Sequence, residues 1–337
     1  MYKKTFHGGV HPYDGKEFAR DIPFQTWLPK GDLVFHLNQH IGKPAKPLVQ
    51  KGDSVLAGQI IAEADGFVSA NIISSVSGTV KAIEKRENVL GTTDLSIVVT
   101  NDGQYTLAEG VGAEVDPATL TTQEILEKVK AAGIVGLGGA GFPTHVKLAP
   151  KDPAAIKYVI ANGAECEPYI TCDDQLMRNY ADEIVGGLKI MLQLFPNAEG
   201  VVLIEENKPE AIAAVQKVCA NENKIHVHPV HVKYPQGGER AIMDVVAGKH
   251  IKLGMLPADV GCVVDNVATV RAICRAVAKT EPLMERGFTV SGDGVNKPCN
   301  LIVKIGTSFE EMLEAAGGFK DGEEPEKILC GGPMMGF

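Results

Sequence analysis

Residues 133–147 read GIVGLGGAGFPTHVK. Four glycines, Gly136, Gly138, Gly139 and Gly141, fall within six positions, and Phe142 and Pro143 follow at once. Glycine density of this kind lets the main chain approach a ligand closely and turns backbone N–H groups toward an anion. Lys147 follows about one helical turn later, where an ammonium can reach a phosphate. The run satisfies G-x-G-x-x-G, but that pattern marks a dinucleotide site only where a strand precedes the first glycine. Residues 121–132, TTQEILEKVKAA, instead carry Ile125, Leu126 and Val129 at helical spacing. The stretch therefore reads as a glycine-rich nucleotide loop outside the standard Rossmann setting. A plain glycine-rich connection is the alternative.

Outward from the loop, strand-like and helix-like segments alternate. Strands are predicted over 156–165 (IKYVIANGAE), 200–206 and 224–230. Helices are predicted over 123–132, 174–194, 209–219 and 267–278, with another beginning near Glu239. This order implies a mainly parallel, doubly wound sheet, with its sites at the C-terminal ends of the strands. The first ~115 residues differ: short β-branched runs alternate with Gly-Asp and Ser-Gly turns, as in a small all-β sandwich. That sandwich resembles the lipoyl/biotinyl carrier fold. No lysine stands between Gly52 and Val80 to bear a swinging arm, so it reads as a packing module. From Glu285 a β-hairpin, a helix (308–319) and a return strand (327–332, KILCGG) are expected to form a small β-grasp-like unit. The fold class is α/β multidomain: a barrel-sandwich with an N-terminal arm over 1–117, a Rossmann-like α/β unit over 118–283, and a β-grasp unit over 284–337.

Composition narrows the function classes. With 337 residues the chain holds two or three domains, and its 45% hydrophobic and 22% charged residues are ordinary for globular proteins. A net charge of −9 gives a nucleic-acid role no electrostatic support. No apolar run reaches the ~18 residues of a membrane span, and the N-terminus lacks the apolar core of a signal peptide. A soluble or peripherally attached protein on the cytoplasmic side is expected. The seven cysteines, at 166, 172, 219, 262, 274, 299 and 330, form no C-x-x-C and no zinc or iron–sulfur spacing. They read as buried thiols in a reducing compartment.

Several strand-end loops carry candidate ligand contacts. Asn162, Glu165 and Glu167 cluster where the strand over 156–165 should open into the cleft. An amide suits a ribityl chain or flavin edge, and carboxylates suit ribose hydroxyls. Cys166 is a poor nucleophile there, because flanking carboxylates raise a thiol pKa. KYPQGGERA (233–241) is a second glycine turn entering a helix; Glu239 either meets a ligand or complements the helix dipole. In VVDNVATVRA (263–272), Asp265 or Asn266 either caps the helix or joins the same convergent face. His226, His228 and His231, like His7 and His11, lack neighbouring metal ligands at usable spacing, and no metal site is predicted.

With these loops in hand the chain resembles a known family. FHGGVHP, QHIGKPAKPLVQKGDSVLAGQ, GLGGAGFPTHVKL, ANGAECEPYIT, EENKPEAI, YPQGGERA and CGGPMMGF are similar to the RnfC family, the C subunits of the Rnf ion-translocating electron-transport complex. The similarity runs across essentially all 337 residues. Residues 118–283 also resemble the flavoprotein, NADH-binding subunit of respiratory complex I, with its GRGGAGFPTG loop. The resemblance implies that Gly136, Gly138, Gly139, Ala140, Gly141 and Phe142 line FMN and NADH, Phe142 stacking on the adenine. It implies Lys147 facing the flavin phosphate, Asn162 on the ribityl or ring portion, and Glu165 and Glu167 facing the nicotinamide nucleotide. It implies Glu239 facing its hydroxyls, with Gly237 among the cofactor-binding residues, while Asp265, Asn266 and Thr269 help close the FMN phosphate site. Ala164, Gly238 and Asp265 depart from the complex I pattern, and Asp265 beside a phosphate is repulsive unless it bonds elsewhere.

The activity so implied is electron exchange between NAD(H) and ferredoxin, coupled to ion movement. Hydride passes from NADH to FMN, no side chain need act as acid or base, and single electrons go on to two 4Fe-4S clusters beyond residue 337. The implied partners are the membrane and iron–sulfur subunits, NADH and, indirectly, ferredoxin. The implied place is peripheral, on the cytoplasmic face of the cell membrane. Related cobalamin- or proline-reductase-type flavoproteins, and a scaffold subunit without nucleotide, are the competing readings.

Overall fold

A computed structural model describes residues 4–252, 254–322 and 325–337. After an N-terminal arm, strand β1 (Phe24–Trp27) leads into β2 (Asp32–His36), β3 (Lys46–Pro47), β4 (Ser54–Val55), β5 (Ile60–Glu63), β6 (Ile72–Ile73), β7 (Gly78–Glu87) and β8 (Thr93–Asn101). Strands β2–β8–β7–β4 form one antiparallel sheet and β3–β5–β6 a second. Leu33, Phe35, Ile61, Ile97 and Val99 are fully buried between them. Alternate residues of short strands thus supply one shared core, which makes this unit a sandwich.

The central unit runs α1 (Thr122–Ala131), α2 (Thr144–Lys147), β9 (Tyr158–Gly163), α3 (Cys172–Asn179), α4 (Ala181–Leu194), β10 (Glu199–Glu205), α5 (Pro209–Cys219), β11 (Ile225–Val230), α6 (Glu239–Ala247), β12 (Cys262–Asn266) and α7 (Val267–Ala278). Its sheet is parallel throughout, in the order β11–β10–β9–β12. Near-continuous apolar runs such as Val159, Ile160 and Ala161 are fully buried because helices cover both faces. One face packs on α1, α4, α5 and α7 through Val129, Leu188, Val215 and Val270. The other packs on α6 through Ile242, Met243 and Val246. A β-carbon at Gly187 would lie 2.0 Å from the Val270 carbonyl oxygen, so glycine there lets α4 and α7 touch backbone to backbone. The chain builds β9, β10 and β11 outward in one direction, then places β12 on the other side of β9. That reversal opens a crevice at the C-terminal ends of β9 and β12.

Two expectations are corrected. The helix predicted over 174–194 is two helices, broken at Tyr180 (φ −133°, ψ 35°), whose ring carries the Arg271 guanidinium 4.0 Å from its centroid. A long-range contact sets that break, and no proline or glycine announces it. In the C-terminal unit, β13 (Glu285–Val290) pairs with β14 (Cys299–Lys304), and α8 (Phe309–Ala315) packs beside them. The return strand predicted over 327–332 does not form. That segment folds back on itself, with the amides and carbonyls of Cys330 and Phe337 exchanging hydrogen bonds of 3.0 Å. The third strand is β1, running parallel to β14 from Phe24 opposite Asn300 to Trp27 opposite Val303. Asn300, fully buried, secures the swap by donating to the carbonyls of Ala19 (2.8 Å) and Ile22 (2.9 Å).

Candidate functional site

The glycine loop sits over the crevice as a closed hairpin. Val135 bridges Pro143, with Gly136 N–H donating to the Phe142 carbonyl at 2.9 Å and Thr144 N–H to the Ile134 carbonyl at 3.0 Å. Among the described residues, the amides of 138–142 meet no protein acceptor. Gly138, Gly139 and Ala140 are exposed, whereas Phe142 is half-buried. A β-carbon at Gly138 would stand 2.6 Å from the Asn266 Cβ, so only glycine lets the loop rest on β12; one at Gly139 would meet nothing within 4 Å.

All three units hold the loop. Thr269, fully buried on α7, accepts from Leu137 N–H at 2.9 Å. Arg286 of the C-terminal unit donates to the Leu137 carbonyl at 3.2 Å, and Ile41 N–H of the sandwich donates to the Gly141 carbonyl at 3.1 Å.

Below the loop lies a charged floor. Lys147 donates to the Val264 carbonyl at 2.7 Å and stands 3.1 Å from Asp265 Oδ1 and 3.8 Å from Glu239 Oε1. Asp265 is 2% exposed, and neither of its carboxylate oxygens has a well-aligned hydrogen bond. Burial raises its pKa and Lys147 opposes that rise. Asp265 therefore finds its counter-charge in Lys147, which answers the repulsion raised by the sequence. Asn266 is the N-cap of α7, accepting from Ala268 N–H at 2.8 Å, and its amide donates to Asp173 Oδ2 at 2.6 Å. Glu239 opens α6 and is half exposed.

Facing the loop is the turn over 162–170. Asn162, in register with Asn266 across β9 and β12, donates to the Gly237 carbonyl at 2.9 Å and accepts from Ala164 N–H at 3.2 Å. Gly237 N–H in turn donates to the Cys166 sulfur at 3.3 Å. Burial pushes that thiol's pKa up, in keeping with its reading as unreactive. Glu167 accepts from the amides of Met334 (2.7 Å) and Met335 (3.2 Å).

Glu165 departs from its expected orientation. Its side chain is only 2% exposed, turned inward to accept from the amides of Asp173 (2.6 Å) and Asp174 (3.4 Å) at the start of α3. Burial pushes its carboxyl up to about 8 against the nearby Lys16 ammonium, 3.9 Å away, and Asp173 adds to the rise. Glu165, Cys172 and Asp173 bring ligand-type atoms within 4.8 Å of one another. Helix capping and the Asn266 amide already engage the two carboxylates.

Sequence reasoning missed two residues here, Lys16 and Lys208. Lys208 is 1% exposed and donates to the Ala164 carbonyl at 2.7 Å. Lys16, 4% exposed, donates to the Glu167 carbonyl at 3.0 Å and to the Ile170 carbonyl. Their signal was present in the EENKPEAI motif and in the glycine-rich arm ahead of Lys16.

The comparisons agree with this geometry. Residues 129–275 match the Nuo51 FMN-binding domain, 4–104 the RnfC barrel sandwich hybrid domain, and 288–337 the SLBB domain. The chain thus carries a Nuo51-type FMN-binding domain between a barrel sandwich and an SLBB unit.

The chain is 44% identical over 335 residues to the C subunit of the proton-translocating ferredoxin:NAD(+) oxidoreductase complex of Clostridium ljungdahlii, covering 99% of this chain and 72% of that protein. It is 39% identical over 332 residues to the C subunit of the Na(+)-translocating complex of Acetobacterium woodii, covering 98% and 74%. The chain belongs to the RnfC family, the C subunits of ion-translocating oxidoreductase complexes. Against the Vibrio cholerae relative, 38% identical, it spans 43% of the relative's length. The NAD+-reducing [NiFe]-hydrogenase in its H2-reduced state shares the fold, at a TM-score of 0.51 and 23% identity over 60% of this chain and 40% of that one.

Proposed function

We propose that this chain is the FMN- and NADH-binding electron-input subunit of an Rnf-type ferredoxin:NAD oxidoreductase. The observation that carries the reading is the open row of amides 138–142 on a loop that rests against Asn266, next in sequence to the Asp265 that pairs with Lys147. Backbone N–H groups without protein acceptors, at a sheet's topological switch point, suit a nucleotide phosphate. The residues present fit FMN: Gly138 to Phe142 and Lys147 would take the phosphate, and Thr269 and Asn266 would hold the loop in place beneath it. Asn162, Gly237, Glu167 and Glu239 would border the nicotinamide nucleotide. Glu165 would act from behind the turn, through the helix it caps. When bound, FMN supplies the conversion of a hydride pair into single electrons. The chain's own part is to bind, orient and shield.

The two iron–sulfur clusters, the membrane and iron–sulfur partner subunits, ferredoxin as the distal electron partner and attachment at the cytoplasmic face all belong to this proposal. Among the described residues no helix is long and apolar enough to cross a membrane. Titrating the purified chain with FMN, then adding NADH without oxygen, tests the reading. Quenched flavin fluorescence on binding, followed by bleaching of the oxidised flavin's visible absorbance by NADH, is the expected result. A chain that retains no flavin and bleaches none would be a scaffold instead.

A further inference from the structure

We propose that the N-terminal arm is part of the nucleotide site, with Lys16 as a positioning residue that acts together with Lys208. The two ammonium groups clamp the 164–170 turn in the conformation in which it borders the nicotinamide nucleotide. The inference rests on the nucleotide reading above and deepens it.

The turn holds a backbone that needs restraint. Glu165 (φ 48°) and Tyr169 (φ 65°) both occupy the left-handed region, where residues with a β-carbon are uncommon. Such conformations persist only when the surroundings over-determine them. Here the carbonyls of Ala164, Glu167 and Ile170 all end on buried ammonium groups: Lys208 takes the first, Lys16 the other two.

Lysine is rarely buried so completely. The carboxyl groups that act on Lys16, Glu165 at 3.9 Å with Glu205 and Asp14, do not compensate it for its lost hydration, so the turn's carbonyls serve as its ligands. Lys16 reaches them from 151 residues away in sequence. The rest of the arm follows the same path. Tyr169 N–H donates to the Asp14 carbonyl at 2.7 Å, Phe18 stacks on the Tyr169 ring with centroids 5.8 Å apart, and Val10 bridges Tyr234. The arm therefore straps together the two loops that border the nucleotide, while among the described residues none of its hydrogen bonds or bridges reaches the glycine loop.

Three measurements test the clamp on the purified chain. Lys16→Met keeps the aliphatic stem and removes the ammonium. In the ligand-free variant, hydrogen exchange at the amides of Tyr169, Asp173 and Asp174 should accelerate about tenfold or more, the loss of charge-assisted bonds. NADH affinity of the FMN-loaded variant should fall by a similar factor of about ten, with FMN affinity within about twofold of wild type. Adding Glu165→Gln to Lys16→Met removes the buried carboxyl group that the single variant leaves without the Lys16 counter-charge. The double variant should regain thermal stability but not NADH affinity, because the carbonyls remain uncapped.

If Lys16→Met does not fold, the double variant carries the test. Unchanged exchange, or unchanged NADH affinity, overturns the clamp. Recovery of NADH affinity by Glu165→Gln also overturns it, since charge balance alone would then explain Lys16. A wild-type chain that binds FMN and NADH while Lys16→Met matches it sinks the clamp alone. A wild-type chain that binds neither sinks the proposed function.

Discussion

In the glycine loop the hydrogen bonds from the other units stop at Leu137 and Gly141, leaving the amides of 138–142 without a protein acceptor among the described residues. Across the crevice, the 162–170 turn is bound at nearly every polar point: its carbonyls by Lys16 and Lys208, its amides and side chains by Asn162, Gly237 and the arm. The loop is held by neutral groups and one guanidinium at its edges and kept open at its tip. The turn is held by buried charges, and its backbone is strained. A loop that receives an anion must offer unsatisfied donors, so its specification is the absence of side chains. A turn that buries a carboxyl group and holds two residues in the left-handed region must be restrained from outside, so its specification is a set of charged partners drawn from elsewhere in the chain.

The largest effect expected on the turn side is that of Lys208→Met. It leaves Glu205, 1% exposed, without its ion-pair partner at 3.4 Å. Loss of one member of a buried pair costs about 3–5 kcal/mol, readable by urea denaturation. A shift in the urea midpoint no larger than that of a surface variant would remove the contrast between the two regions.

On the loop side, Gly138→Val forces a side chain against Asn266 and should cost about 1–3 kcal/mol along with flavin binding. Gly139→Ala faces open space and should stay within about 0.5 kcal/mol of wild type. Thermal melts and flavin fluorescence on the pair separate the roles of two adjacent glycines.

The turn should also show a pH signature of its own. Glu165 has an ordinary carboxyl pKa of 4.5 when unfolded and one pushed up to about 8 when folded. Between those values the folded state holds the extra proton, so this group's contribution to stability is full below 4.5 and is lost as pH rises toward 8. The slope is at most about 1.4 kcal/mol per pH unit, and Glu165→Gln should flatten it. Denaturation midpoints in which wild type and Glu165→Gln vary in parallel between about pH 5 and 8 would contradict this.

Smaller changes refine the comparison. Thr269→Val removes the acceptor for Leu137 N–H and should cost about 1 kcal/mol, with weaker flavin retention as the second readout. Glu239→Gln should be smallest. Its carboxylate is half exposed and 3.8 Å from Lys147, a contact worth well under about 1 kcal/mol.

Much of the fold was legible before any coordinates. The helix predicted over 267–278 is α7 as observed, and the strands predicted over 200–206 and 224–230 lie within a residue of β10 and β11 at each end. These elements carry their periodicity locally, and burial on both faces of the sheet reinforces it. The break at Tyr180 and the missing strand over 327–332 were illegible because each depends on a distant partner: Arg271 stacks on Tyr180, and β1 occupies the third place in the C-terminal sheet. The candidate site divides the same way. Gly138, Asn266 and Thr269, from three separate segments, meet around the loop, whereas Glu165 points inward, where Lys16 and the α3 amides lie behind it.

What the amino-acid sequence determined by itself was the set of segments and the glycine loop. Backbone sterics and side-chain periodicity act over a few residues and can be read from a few residues. What only the tertiary structure decided was how charge is distributed around that loop. Lys147 is turned onto Asp265, Glu165 is buried, and an arm lysine 151 positions away holds the turn. Burial and ion pairing are properties of the assembled core, since the cost of removing a charge from water exists only once the surrounding chain has closed over it.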